Sequence, residues 1–91
     1  MLQEHTLDRE KPYYPRNLIG SRLREIRRES RPRVSQEDLC GRVALDGVVL
    51  TRTQIAKIEA GTRPVSDCEL LAFARALAVD ITVFFPRSRS R

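Results

Sequence analysis

The stretch from Thr51 to Gly61 pairs hydrogen-bonding side chains with helical spacing. On a 3.6-residue period Arg52, Thr53, Ala56 and Lys57 share one outward face, with Gln54 at its edge, and none of them is acidic. An Arg fork matches the two acceptors on a guanine edge, a Gln amide matches adenine, and a Thr methyl matches the methyl of thymine. Small Ala56 lets such a helix lie close in a groove, and Thr51 opens it. Taken alone, an ordinary solvated helix face has the same composition. A second group changes the balance. Ser35 and Gln36 open another predicted helix, where backbone N–H groups and a side-chain amide together hold a phosphate. Arg31, Arg33 and Arg63 fall in predicted loops at the same end, placed for a nucleic-acid backbone. The expected base contacts are Thr51, Arg52, Thr53, Gln54 and Lys57; the expected phosphate contacts are Arg31, Arg33, Ser35, Gln36 and Arg63.

Other chemistries find little support. His5 is the only histidine, and Cys40 and Cys68 have no CxxC spacing, so no metal site is expected. Both cysteines fall on apolar faces of predicted helices and read as buried reduced thiols, although sequence alone leaves a disulfide open. No acidic pair shares a helix face with room between, and no nucleophile stands beside a base, so neither an enzyme nor a cofactor is expected. The net charge is +5, carried by 17 cations of which only Lys11 and Lys57 are Lys. Arginine forms planar bidentate pairs with phosphate and guanine, which favours a nucleic-acid partner. The bland alternatives are a codon-driven Arg bias and a purely structural helical bundle. No apolar run approaches a membrane span, and Met1-Leu2-Gln3-Glu4-His5 has no signal-peptide layout, so the expected location is the cytoplasm.

The 91 residues suit one domain with one modest core. Residues 1–16 read as an N-terminal arm, with Pro12 and Pro15 bracketing Tyr13-Tyr14, and residues 87–91 as a basic tail. Residues 17–86 between them read as helices. Leu18, Ile19, Leu23 and Ile26 predict a first helix from Asn17 to Glu29, broken by Pro32. Ser35 and Asp38 have capping-box spacing, with Val34 as a hydrophobic staple on Leu39, and predict a second helix ending near Ala44 or Leu45. Leu39, Cys40 and Val43 form its inward face. Thr51 and Gln54 predict the third helix, which turns Ile55, Ile58 and Glu59 inward and is closed by Gly61. Ser66 and Glu69 predict the fourth, burying Leu70, Leu71, Phe73, Ala74, Leu77 and Ala78. Ile81 to Phe85 predict a short fifth turn held by Phe84 or Phe85. Asp46-Gly47 lies between Val43-Ala44-Leu45 and Val48-Val49-Leu50, which is also a hairpin signal, with runs of only three residues on either side.

In this order the elements resemble the phage-repressor and Cro-like helix-turn-helix family of the xenobiotic-response-element type. The resemblance rests on Leu23-x-x-Ile26-Arg27, Ser35-Gln36-x-x-Leu39-Cys40, Ile55-x-x-Ile58-Glu59-x-Gly61 and Leu70-Leu71-x-x-Ala74-x-x-Leu77-x-Val79, and it runs from about Leu18 to Phe85. It implies an all-α, compact five-helix bundle, a lambda-repressor-like DNA-binding domain. It implies Gln36 on a phosphate and in support of the reading helix, Thr51, Arg52, Thr53, Gln54 and Lys57 toward the major groove, and Arg27 with Glu59 as a buried structural ion pair. It further implies a regulator of transcription, a repressor acting as a homodimer on a palindromic operator in double-stranded DNA. Proteins resembling this fold also include antitoxins and adaptors that bind a protein partner, for which Tyr13-Tyr14 and the end Val83-Phe84-Phe85 are candidate surfaces. Two departures stand out. Cys40 occupies a position where the family has Ala, and Leu45 to Leu50 make the turn between the second and third helices longer than the motif's usual 3–4 residues.

Overall fold

Three Ser/Thr caps punctuate the chain, and each opens a helix. The computed structural model describes residues 17–85. Within them α1 spans Gly20–Glu29, α2 Gln36–Ala44, α3 Arg52–Ala60 and α4 Asp67–Leu77, and a 3₁₀ turn spans Ile81–Phe84. No strand occurs among the described residues, so the hairpin alternative at Asp46-Gly47 is not realised. The arm at 1–16 and the tail at 87–91, with the partner surface read at Tyr13-Tyr14, lie outside the described residues. The expected five-element helical arrangement is present, its fifth member being the 3₁₀ turn.

The caps work as the spacing predicts. Ser35, Thr51 and Ser66 each accept a hydrogen bond from the backbone N–H three residues on, and the side chains of Asp38, Gln54 and Glu69 accept one from the cap's own N–H. Each box satisfies two donors that a helix start otherwise leaves without partners. The helix ends share a second device. The amide of Gly61 bonds to Ile58 and that of Thr62 to Lys57, with Gly61 at φ 85°. Gly47, at φ 80°, closes α2 in the same way through the Gly47 and Val48 amides. At the end of α4 the left-handed position is filled by Ala78, at φ 57°. A left-handed residue with a Cβ costs about 1–2 kcal/mol, so here packing of Val79 against the core overrides local preference.

One core joins all the elements. Leu23, Leu39, Val43, Ile55, Ile58, Phe73 and Phe84 are fully shielded from solvent. Val34 and Leu39 are both buried, as a staple requires. α1 packs on α3, α2 on α3 and α4, and the 3₁₀ turn against α1 and α4. The α1–α3 contact is close: a Cβ on Gly20 would come within 2.2 Å of the Ile58 carbonyl oxygen.

Several expectations are corrected. The first helix begins at Gly20, not Asn17, because the Asn17 carboxamide oxygen itself accepts from the Ile19 and Gly20 amides at 3.1 and 2.8 Å. Leu18 therefore lies before the helix and is 53% exposed. On α4, Leu71 is exposed and Ala72 takes its place in the core, since the burial stripe follows Ala72, Phe73, Ala74 and Leu77. Ala78 lies past the helix end and is exposed. The two cysteines are not buried: Cys40 is half-buried and Cys68 exposed, both as free thiols. Cys40 sits at the margin of the core, where partial burial and then the charge of Glu37 raise its thiol above the ordinary value. Of the terminal aromatics, Phe84 anchors the 3₁₀ turn and Phe85 remains exposed.

Candidate nucleic-acid interface

The outward face of α3 is built from its two ends. At the start, the Thr51–Gln54 box fixes the first turn: Thr51 Oγ1 accepts from the Gln54 amide at 3.0 Å and Gln54 Oε1 accepts from the Thr51 amide at 2.9 Å. Arg52, Thr53 and Lys57 project into solvent. Thr53 and Lys57 are one helical turn apart and face the same way. Neither Arg52 nor Lys57 has an ion-pair partner among the described residues. Gln54 is half-buried and its carbonyl oxygen is used by the cap, which leaves its amide N–H groups as the free polar atoms.

The inward side of α3 is held by a charged network. Arg27 and Glu59 are each 7% exposed. Arg27 Nε donates to Glu59 Oε2 at 2.6 Å and Nη2 to Oε1 at 3.0 Å, a bidentate pair between α1 and α3. The remaining fork nitrogen, Nη1, donates to the Val34 carbonyl at 3.0 Å, just before the α2 cap. Gln36 Nε2 adds a bond to Glu59 Oε1 at 3.0 Å. One carboxylate thus ties together α1, the start of α2 and the second half of α3. No buried side-chain polar atom among the described residues lacks a partner. Sequence reasoning reached the Arg27–Glu59 pair through resemblance alone. The third member, Gln36, joins because the start of α2 lies within reach of the Glu59 carboxylate, and no sequence spacing signals that bond.

A second anchor lies at the start of α1, and sequence reasoning missed it. Asn17 Nδ2 donates to the carbonyls of Ile58 at 2.8 Å and Arg63 at 3.0 Å. With its oxygen capping α1, Asn17 joins α1 to the end of α3. An Asn just before an apolar run is the signal that was available.

The predicted phosphate ligands fall into two sets. Arg33, Ser35 and Gln36 line one shallow concavity of about 590 Å³, shared with Arg27, Glu37, Asp38 and Arg52. The structure therefore brings the start of α2 beside the first residue of α3. Asp38 belongs to the Ser35 box, and hydrogen bonds from the Ser35 backbone and side chain hold its carboxyl below the ordinary range. Gln36 is half-buried and spends one amide hydrogen on Glu59, which leaves its second amide hydrogen and its backbone N–H as the donors for a phosphate. Arg31 and Arg63 stand apart. Arg31 folds back on the carbonyls of Glu29 and Ser30. Arg63 makes a bidentate pair with Glu69 at 3.0 and 3.2 Å at the start of α4. Burial pushes Glu69 up, but the Arg63 fork and the Ser66 amide outweigh it and hold the carboxyl below its ordinary value.

The enlarged turn has a definite path. Leu45 and Asp46 form a turn on the end of α2, Gly47 reverses it at φ 80°, and residues 48–50 follow without regular structure. Val48 and Leu50 pack toward the core, and Asp46 pairs with Arg75 of α4 at 3.6 Å.

Among the described residues no helix is long and apolar enough to cross a membrane, and no group of His, Cys, Asp and Glu could hold a metal ion. No curated protein matches the chain, and no solved structure matches it. A family model described as a helix-turn-helix domain matches residues 18–83.

Proposed function

Since the chain belongs to the helix-turn-helix domain family, a DNA-binding family, we propose that it reads a specific sequence in double-stranded DNA as a transcriptional regulator of the repressor and Cro-like, xenobiotic-response-element type. The observation that carries this reading is the acid-free, exposed face of Arg52, Thr53 and Lys57 on a helix whose other side is clamped by Arg27, Glu59 and Gln36. A rigid mount is what base readout needs, because a bidentate Arg–guanine or Gln–adenine contact is worth about 1–3 kcal/mol only when correctly aligned. In this reading α3 enters the major groove, with Thr51, Arg52, Thr53, Gln54 and Lys57 toward base edges. Arg33, Ser35 and Gln36 meet the backbone phosphates through the concavity they share with Arg52. Arg31, bonded back through Nη1 alone, can join them with its Nε and Nη2. Arg63 first has to give up Glu69, so its main work is to hold the start of α4.

The protein acts as a homodimer on a palindromic operator, two reading helices meeting successive major-groove faces. Occupancy of such a site blocks polymerase, which is the repressor reading. A protein-binding role as an antitoxin or adaptor is the alternative, and the exposed Leu18 and Phe85, which line one small apolar notch of about 240 Å³, favour some protein contact there.

The reading is tested by binding measurements on duplexes that differ by one base pair. Arg52→Ala should flatten the preference at one position, while Arg33→Ala should weaken all duplexes alike and reduce the salt slope by about 0.9. Unchanged base preference in Arg52→Ala would show that α3 is not the reader, or that it is rotated.

A further inference from the structure

The segment that leads into α3 exposes an aliphatic side chain that no packing explains. Val49 is 87% exposed, with Val48 and Leu50 beside it turned to the core. Thr51, the α3 cap, has extended backbone at φ −86° and ψ 163° and is exposed. Exposure therefore alternates from 48 to 51: inward, outward, inward, outward. Such an alternation sets residues two apart on the same side of the chain. Val49 thus projects on the side of Thr51, immediately ahead of the reading helix.

This position is held. The Gly47 and Val48 amides are bonded back to Ala44 and Val43, and Asp46 is paired to Arg75. Leu50 is 7% exposed, which anchors the segment one residue past Val49. A single exposed Val is common on protein surfaces. One fixed beside the start of a groove-binding helix meets the one apolar feature of the major groove, the 5-methyl group of thymine.

We infer that Val49 is a specificity-determining residue that packs on a thymine methyl at the margin of the bound site, so that the enlarged turn widens the footprint instead of re-aiming α3. The inference rests on the DNA-reading role of α3. It assigns apolar readout to Val49, beside the polar readout of Arg52, Thr53 and Gln54.

The test uses the full chain and a duplex selected by it from random DNA. Each thymine is replaced in turn by deoxyuridine, which lacks only the methyl, and affinity is measured for the wild type and for Val49→Ala. The expected result is one thymine, outside the positions sensitive to Arg52→Ala, whose replacement weakens the wild type roughly threefold. In Val49→Ala that same replacement should have no effect. Val49→Asp, an exposed substitution that spares the core, should weaken every duplex at least about tenfold through repulsion from the phosphates. If Val49→Ala responds to every replacement as the wild type does, or Val49→Asp binds unimpaired, the inference is overturned while the role of α3 stands. If the wild type selects no duplex at all, both fall together.

Discussion

Glu59 is the most consequential polar residue in the fold, and Glu59→Ala makes its role measurable. The substitution removes the acceptor of two of the three bonds made by Arg27, at 2.6 and 3.0 Å, and the acceptor of Gln36 Nε2 at 3.0 Å. Arg27 keeps only the Val34 carbonyl, and its side chain is 9% exposed in the native fold. A buried charge stripped of its partner costs about 3–5 kcal/mol. That is from about a fifth to most of the total stability of a small domain, about 5–15 kcal/mol. The melting temperature should fall by on the order of 12–40 °C at about 4–8 °C per kcal/mol. Urea unfolding followed by far-ultraviolet circular dichroism gives the free energy directly, and the slope should be unchanged if the native state stays compact. Two companion variants separate the causes. Gln36→Ala loses one hydrogen bond to a charged group and should cost about 1.5 kcal/mol. Arg27→Met with Glu59→Leu removes both charges and should lie within about 1 kcal/mol of the wild type. A cost below about 1 kcal/mol for Glu59→Ala would refute the clamp, because the stranded guanidinium would then have reached water.

Three other perturbations follow from particular contacts. Gly20→Ala should destabilise despite the better helix former, since its Cβ would sit 2.2 Å from the Ile58 carbonyl oxygen; thermal melts should show a loss of about 1–3 kcal/mol from the forced shift of α1 against α3. Ala78→Gly should do the opposite, because it removes a left-handed residue with a Cβ at φ 57° on an exposed site; a net gain of about 0.5–1 kcal/mol is expected after the added chain entropy of Gly, and equal or lower stability would contradict it. Asp38, Glu69 and Asp80 all have carboxyls held below their ordinary values by hydrogen bonds. Their folded-state pKa values lie below the unfolded ones, so the stability they add is present at neutral pH and drains away as pH falls below about 4.5 for Glu69 and about 3.8 for the two Asp. Urea midpoints measured from pH 7 downward should decline through that window, and Glu69→Gln should make the decline shallower.

Much of this architecture could be read from the chain because its helices are marked twice, by a cap and by an apolar period. Ser35 with Asp38, Thr51 with Gln54 and Ser66 with Glu69 place three helix starts, and Gly61 places an end. The errors fall where those marks are missing or compete. Asn17 has its side chain rather than its backbone in the helix, which moved Leu18 out to solvent. Ala78 has no residue-type signal for a left-handed turn, so nothing in the sequence takes it off the buried side of α4. The apolar stretch Leu70 to Leu77 has more hydrophobic residues than one face can bury, and only packing decides that Ala72 goes in and Leu71 stays out. At the site, the sequence identifies which residues can make hydrogen bonds but not which bonds are already made. Gln36, Gln54 and Arg63 each use polar atoms inside the protein. The path of Leu45 to Leu50 was illegible for a similar reason: Gly47 ends a helix with the residues that also begin a hairpin.

The central claim is that α3 reads duplex sequence, and selection of bound sites from random double-stranded DNA by the purified full chain tests it most directly. The account predicts an enriched motif with two-fold symmetry, in which Arg52→Ala loses preference at one position of each half-site. Recovery of unenriched DNA by a folded protein would contradict it.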